Sequence, residues 1–512
     1  MITLLSLNSM ILKRSYFALL IFVMNHCTAI AASSEPFVYA PEVRRSSVYH
    51  VRLDGREQVV IETKKGHVVR AAGSSGVEVE IETTAEIRSC VVRPMALGIK
   101  PGIEGRRVRF RLERHASISV EFNDDLGTPL LLFYDAPIPT PLADENTRVF
   151  SAGRIYDIGA VTLASHQRVF LEGGAVVRGQ FIIEDAEDVR IQGPGVLDQS
   201  TRTIRKNTLY VRRSRNVVIE DVLLLDTFEW SIHLSFSRDV ALRRVRVIGW
   251  RPNCDGIDIL SSSFVTVSDC FLRNADDCIA IKAGGRDPDP EGIVENIQVE
   301  RCVLWNDLPG NAFEVGFELN NHAVRGVHFR DCDVIHVLRG AAFSIHNSGV
   351  SRVEDVSFTD IRLEDLRDEF VDLYIGLSVY SPDRPTEYFV PGGPRRWTPP
   401  ERQDHVSPDN ASQWWMPLDS VERARFAPGR GSISNVKFQR ISFLGSRPLR
   451  IVIKGYDDDH AVHDVSFSEI TFNGRPVDEW PKEELRISNA RNVVFAGRLI
   501  DDADPTVDGT GL

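Results

Sequence analysis

Between Trp250 and Lys282 the chain reads WRPNCDGIDILSSSFVTVSDCFLRNADDCIAIK, which sets Asp255 in one short acidic motif and the pair Asp276 and Asp277 in the next, Asp276 lying 21 residues after Asp255. Cleaving a glycosidic bond takes a protonated carboxyl on the leaving oxygen and a carboxylate that activates water. Crowded negative charges raise the pKa of one member so that it keeps its proton, and three acids can divide those roles. Neighbouring residues in a regular strand face opposite ways, so Asp276 and Asp277 share a cleft only from a strand end or a bulge. The competing reading makes all three solvated turn residues, like the many aspartates of the DC, DV and ED turns elsewhere. Their clustering with Asn253 and Gly256 favours a site.

The elements that must position these acids are visible as repeats. NVVIEDVLLLD from Asn216, DVALRRVRVIG from Asp239, FVTVSDCFLRN from Phe264, NIQVERCVLWN from Asn296, GVHFRDCDVIH from Gly326 and DVSFTDIRLED from Asp355 alternate apolar and polar residues, as strands do. Two more copies begin at Asn435 and Asp464. Start-to-start spacing of about 23 to 32 residues suits coils of a solenoid with variable loops. In a parallel β-helix successive coils stack at about 4.8 Å, so equivalent positions form columns and Asp255 becomes a near neighbour of Asp276. Cys270, Cys302 and Cys332 hold one place in three consecutive repeats and are expected to stack as buried thiols, not as metal ligands, because the spacing lacks a zinc pattern. A disulfide between Cys254 and Cys278 is open, and Cys90 is expected in a core.

The chain has 512 residues, 43% of them hydrophobic and 26% charged, enough for a long core and two domains. Its formal charge of −12 argues against a nucleic-acid partner. Lys13 and Arg14, the apolar run Tyr16 to Met24 and Ala29-Ile30-Ala31 fit a signal peptide over residues 1–31, so the mature protein is expected to be secreted or periplasmic with no membrane anchor. Shorter, turn-separated strands over residues 35–141 read as a small antiparallel β-sandwich, and PIPTPLADE, from Pro137 to Glu145, marks the boundary. Residues 142–505 then form the helix, interrupted over 381–431 by a Pro-, Gly- and Arg-rich loop containing Tyr388, Trp397, Trp414 and Trp415. Those aromatics either face a substrate or pack the loop onto the helix. The fold class is therefore all-β, a right-handed parallel β-helix preceded by an antiparallel sandwich.

NCDGIDI followed by NADDCIAIK, with DTFEWSIHLSFSRDVALRRVRV upstream, resembles the polygalacturonase-type family 28 of glycoside hydrolases, whose members carry an NTDG segment and then a GDDC segment on a right-handed β-helix. The resemblance implies Asp276 as general acid, Asp255 and Asp277 holding the nucleophilic water, an inverting reaction and no cofactor. Asn253, Asp258 and Lys282 would line the same site. Two departures stand out. Where those enzymes have Gly-His-Gly one coil later, this chain has Gly310-Asn311-Ala312, and where they have Arg-Ile-Lys it has Ser344-Ile345-His346. Losing both cations removes a charge-assisted contact to a uronic acid. Asn311, Glu314, Glu318, His346 and Asn347 look instead like groups that bind sugar hydroxyls, with Glu314 as a solvent-facing carboxylate and His346 as a hydrogen-bonded core histidine the competing readings, and Arg339 is a candidate displaced cation.

A sandwich before a β-helix with three aspartates also resembles dextranase and isopullulanase of family 49, which would imply a neutral α-glucan. A β-helix polysaccharide lyase would need an acidic substrate and an Arg or Lys base beside the acids, where only Lys282 stands. A non-catalytic glycan-binding solenoid is the third class. All of these readings share a carbohydrate partner. The run Asp457 to Asp459 reads as a solvated loop in preference to an ion site.

Overall fold

Period-two alternation gives each repeat one apolar edge, and the only way to bury that edge in every repeat at once is to stack the repeats on one another. The computed structural model shows this arrangement and describes residues 35–500 apart from 75, 204, 285–292, 308, 309, 322, 386–414, 417 and 446–448. From Thr147 to Leu499 a run of 32 strands is paired almost wholly in parallel, each strand with its equivalent in the coil before and the coil after, which makes a right-handed parallel β-helix. The strand Ile279–Ala283 pairs with Ile257–Leu260 on one side and with Phe313–Leu319 on the other. Along that sheet Ile232, Ile257, Ile279, Phe313, Phe343 and Val371 form an inward column, all fully buried. Phe329, Phe358, Phe438 and Phe467 stack in nearly parallel planes, with centroids 4.9, 5.1 and 4.7 Å apart. Cys270, Cys302 and Cys332 line the core as a column of buried thiols, the Cys302 N–H reaching Cys332 Sγ at 3.4 Å.

Residues 35–135 fold as two sheets face to face around a separate apolar core. One is antiparallel throughout, and the other contains a single parallel pair, Gly66–Ala72 beside Asp125–Asp135. Cys90, expected in a core, is only half-buried at the margin of this one. The sandwich lies against one face of the helix, where Phe133 meets Phe271 at 5.2 Å and Val68 and Leu131 pack in one cluster with Leu223, Ile248 and Trp305. Buried ion pairs fix its orientation: Asp135 joins Arg70 of the sandwich to Arg246 of the helix, and Glu121 takes both Arg93 and His336.

Cys254 and Cys278 are free thiols. Cys254 Sγ lies 2.8 Å from Thr227 Oγ1, while Cys278 packs among the inward apolar residues of the helix, so the two side chains occupy different environments and form no disulfide. No helix among the described residues is long and apolar enough to cross a membrane. The expected signal segment lies outside the described residues.

Candidate active site

Asp276 and Asp277 occupy the bend between the strands Phe271–Asn274 and Ile279–Ala283, and Asp255 sits in the equivalent bend one coil earlier. Leaving the strand pattern is what lets both members of the pair reach one cleft. Backbone bonds lock the two bends together: Gly256 N–H donates to Asp277 O at 2.8 Å, and Cys278 N–H to Asn311 O at 3.0 Å. Asn306 Nδ2 donates to Asp276 O at 2.8 Å, and Asn274 Nδ2 to Cys254 O at 3.1 Å. Gly310, at φ +101°, supports the turn from the next coil. A Cβ there would lie 2.5 Å from Asp277 N and 2.6 Å from Asp276 C, so the turn keeps its place only because residue 310 has no side chain.

Asn253, Asp255, Asp258, Asp276, Asp277, Lys282, Asn311, Glu314, Glu318 and His346, all read from the sequence, gather here, but not all of them face a substrate. The candidates Asn347 and Arg339 lie apart. Asp276 is half-buried, and Asp255 and Asp277 are 3% and 9% exposed at the floor of the cleft. Asn253 is exposed in a left-handed conformation, and its backbone N–H donates to the Asp276 carboxylate. Asp258 and Glu314 are wholly enclosed and His346 is 2% exposed, which leaves these three no surface for a sugar hydroxyl. They form the layer beneath. Lys282 Nζ lies 2.7 Å from Asp258 Oδ1, 3.5 Å from Asp255 Oδ2 and 4.0 Å from the half-buried Glu318. Asn311 donates to Asp277 Oδ1 from its backbone at 2.7 Å and from Nδ2 at 3.3 Å, and Nδ2 also reaches Glu314 Oε2 at 2.9 Å. Glu314 further accepts from Ser344, and His346 bridges Glu314 to Asp372, at 3.0 Å on each side. Asn347 points into the helix, where Nδ2 donates to Ser351 O at 2.7 Å. Arg339 lies beside Asp368.

The electrostatics follow from crowding seven carboxyl groups, the buried Asp255, Asp258, Asp277, Glu314 and Asp372 and the half-buried Asp276 and Glu318, around two cations, Lys282 and His346. Burial first, and the Asp255 charge second, push Asp276 up to about 7. Asp277 is raised well above the usual carboxylate range by burial and then by Glu314, although Asn311 favours its charged form. Asp258 Oδ2 has no N–H or O–H partner and lies against the Asp255 carboxyl. Burial is the main cause of the rise of each, and their contact favours the charged form of Asp255 and the protonated form of Asp258. Burial alone would strip the protons from Lys282 and His346, but Asp258 and Glu318 around the first, and Glu314 and Asp372 around the second, keep both raised well above their ordinary values.

Three groups at the site were not singled out by sequence reasoning. Trp230 lies over Lys282 with its ring centroid 3.8 Å from Nζ. Asp372 stands one coil beyond Ser344 in strand register, so aligning the repeats would have located it. Tyr380 packs on Phe317 at 5.1 Å. Trp415 turns out to pack the loop onto the helix: it is 4% exposed and stacks on Tyr374 at 4.3 Å and 10°. Tyr388, Trp397 and Trp414 lie outside the described residues. Asp457 caps its own loop through the backbone N–H groups of Asp459 and His460.

This fold and this acid cluster place the chain among β-helix proteins with a carboxylate-lined cleft. Residues 169–374 match the family model for glycosyl hydrolases family 28, and that span holds the acid cluster from Asn253 to Asp372. A probable polygalacturonase of Arabidopsis thaliana is 25% identical over 189 residues, covering 36% of this chain and 39% of that protein. Endopolygalacturonase D of Aspergillus niger is 27% identical over 121 residues, 24% of this chain and 22% of its own. The chain thus spans less than half the length of these curated relatives. Among solved structures, Dex49A from Penicillium minioluteum superposes with a TM-score of 0.58 at 13% identity, over 91% of this chain and 98% of that one. That likeness is one of fold, and it extends through the sandwich.

Proposed function

We propose that the protein is an exported inverting glycoside hydrolase in which Asp276 protonates the leaving oxygen while Asp255 and Asp277 hold and deprotonate the attacking water. The observation that carries this reading is the excess of buried carboxyl groups over cations in one cleft, which leaves a proton on an acid near neutral pH where an isolated aspartate would have lost it. Asp276 suits the donor role because it is the most exposed of the three and is pushed up to about 7. Asp277 suits the acceptor role because two N–H groups of Asn311 point at its carboxylate. Lys282 holds Asp255 in place and is itself held by Asp258.

The family match favours a uronic-acid polymer. The site chemistry favours a neutral sugar at the cleavage position, because both cations beneath the cleft are already engaged by at least two carboxyl groups each. Reducing-sugar release from polygalacturonate, rhamnogalacturonan, dextran, pullulan and arabinan, with the Asp276→Asn variant alongside, tests both statements. Hydrolysis lost in the variant supports the assignment, and activity retained there refutes it. Proton NMR of the first-formed anomer decides inversion. An unsaturated product would indicate a lyase instead.

A further inference from the structure

The row of outward-facing residues that runs along the catalytic sheet is covered unequally on its two sides. Toward the N-terminus, Tyr210, Arg212, His233 and the nearby Trp230 are half-buried and form an aromatic shelf, with Trp230 and Tyr210 lying 5.2 and 4.9 Å from His233. Toward the C-terminus the equivalent positions Glu314, Ser344 and Asp372 are 0% exposed and His346 is 2% exposed. An aromatic layer lies over the neighbouring outward positions His346 and Tyr374. Phe317 stacks on His346 at 4.5 Å and meets Tyr380 at 5.1 Å and Trp415 at 5.3 Å, while Trp415 in turn covers Tyr374.

The layer is anchored rather than loosely laid. Met416 N–H donates to Leu377 O at 2.8 Å, and Ser381 Oγ donates to Ser348 O at 2.6 Å. The buried Arg430 donates to Ser348 O at 2.8 Å and to Gly376 O, and also pairs with Asp383. A Cβ on Gly376 would lie 2.6 Å from the Trp415 ring, so the glycine makes room for that ring. Tyr380 stands at the catalytic end of the layer: burial, and beyond it the charges of Glu318 and Asp276, raise its phenol above the ordinary value.

From this asymmetry we infer that the cleft is walled off on the C-terminal side of the acids by Phe317, Tyr380 and Trp415, so that the enzyme works from the ends of glycan chains and releases short products of fixed size. The inference rests on the hydrolase reading above. An enzyme that cuts inside a polymer needs open groove on both sides of its acids, and here three successive coils, roughly 14 Å at about 4.8 Å per coil, are roofed. The half-exposed shelf around Trp230 is where the remainder of the chain would lie, since aromatic faces with polar tips suit sugar rings.

The test uses the mature enzyme on polygalacturonate and on dextran, following viscosity against new reducing ends and sizing the earliest products by chromatography. Chain-end action gives one small product from the outset while viscosity persists. A ladder of long fragments with an early collapse of viscosity overturns the inference and leaves the hydrolase reading intact. Tyr380→Ala, and separately Phe317→Ala with Tyr380→Ala, should raise the viscosity lost per bond broken several-fold, and an unchanged ratio in a variant that melts like the parent counts against the wall. The wild-type profile decides the matter by itself if a variant fails to fold. No release from these two polymers, from rhamnogalacturonan, pullulan or arabinan, or from their oligosaccharides refutes the hydrolase reading, and this inference with it.

Discussion

Aspartates recur at two edges of the same helix and behave in opposite ways. At one corner Asp221, Asp269, Asp331 and Asp360 sit at left-handed turn positions with an arginine for each: Arg244 at 2.7 Å, Arg301 at 2.9 Å, Arg362 at 2.8 Å and Arg440 at 2.5 Å. There the Arg440 guanidinium holds the Asp360 carboxyl below its usual range. At the catalytic edge the acids are buried, outnumber their cations and are pushed upward. Strand stacking places both sets with equal regularity. The difference lies in the ratio of charges, since Asp221 is as buried as Asp255 yet has an arginine of its own, so the fold supplies positions while the surroundings push an acid down or up.

The largest way to break the contrast is Asp276→Asn. Turnover should fall about 10²–10⁴-fold, the usual contribution of general acid catalysis, with the melting temperature nearly unchanged. Kinetics together with a thermal melt check this, and a fall in both would move Asp276 into the structural class. Next is Lys282→Met, which leaves Asp255 and Asp258 buried without their cation. Breaking a buried pair from one side costs about 3–5 kcal/mol, measurable by denaturant unfolding.

The pH profile sharpens the comparison further. In the proposed reaction Asp276 works protonated and is raised to about 7, so kcat/KM should fall about tenfold per pH unit above that value, and it should fall on the acid side as the raised Asp255 and Asp277 take up protons. An alkaline limb in the ordinary carboxylate range would mean that the crowding does not act on the donor. The smallest effect is expected at the other corner. Arg301→Ala removes an exposed partner of Asp269, so stability should drop by only about 0.2–1 kcal/mol and activity should stay unchanged.

Much of this was legible in the repeats. Asp255, Asp276, Asp277, Lys282 and Asn311 converge as their spacing implies, because one coil per repeat turns sequence distance into vertical neighbourhood. The inner layer was less legible. Glu314 and His346 read as sugar-binding groups because outward strand positions are normally wet, and the structure instead bears out the competing reading of His346 as a hydrogen-bonded core histidine, lying under Phe317 and Trp415 and bonded to the enclosed Glu314. A disulfide between Cys254 and Cys278 stayed open in the sequence, and the two bends send one side chain toward Thr227 and the other into the core.

The sequence by itself determined the solenoid, the sandwich ahead of it and the three aspartates, because alternation and repeat length are local properties that dictate which positions stack. Tertiary structure alone decided which of those carboxyl groups touch water, which lie against a cation and where the aromatic layer of Phe317, Tyr380 and Trp415 sits. Burial and charge balance depend on everything that packs around a group, including segments far away in the chain. Trp415, 139 residues after Asp276, is such a segment.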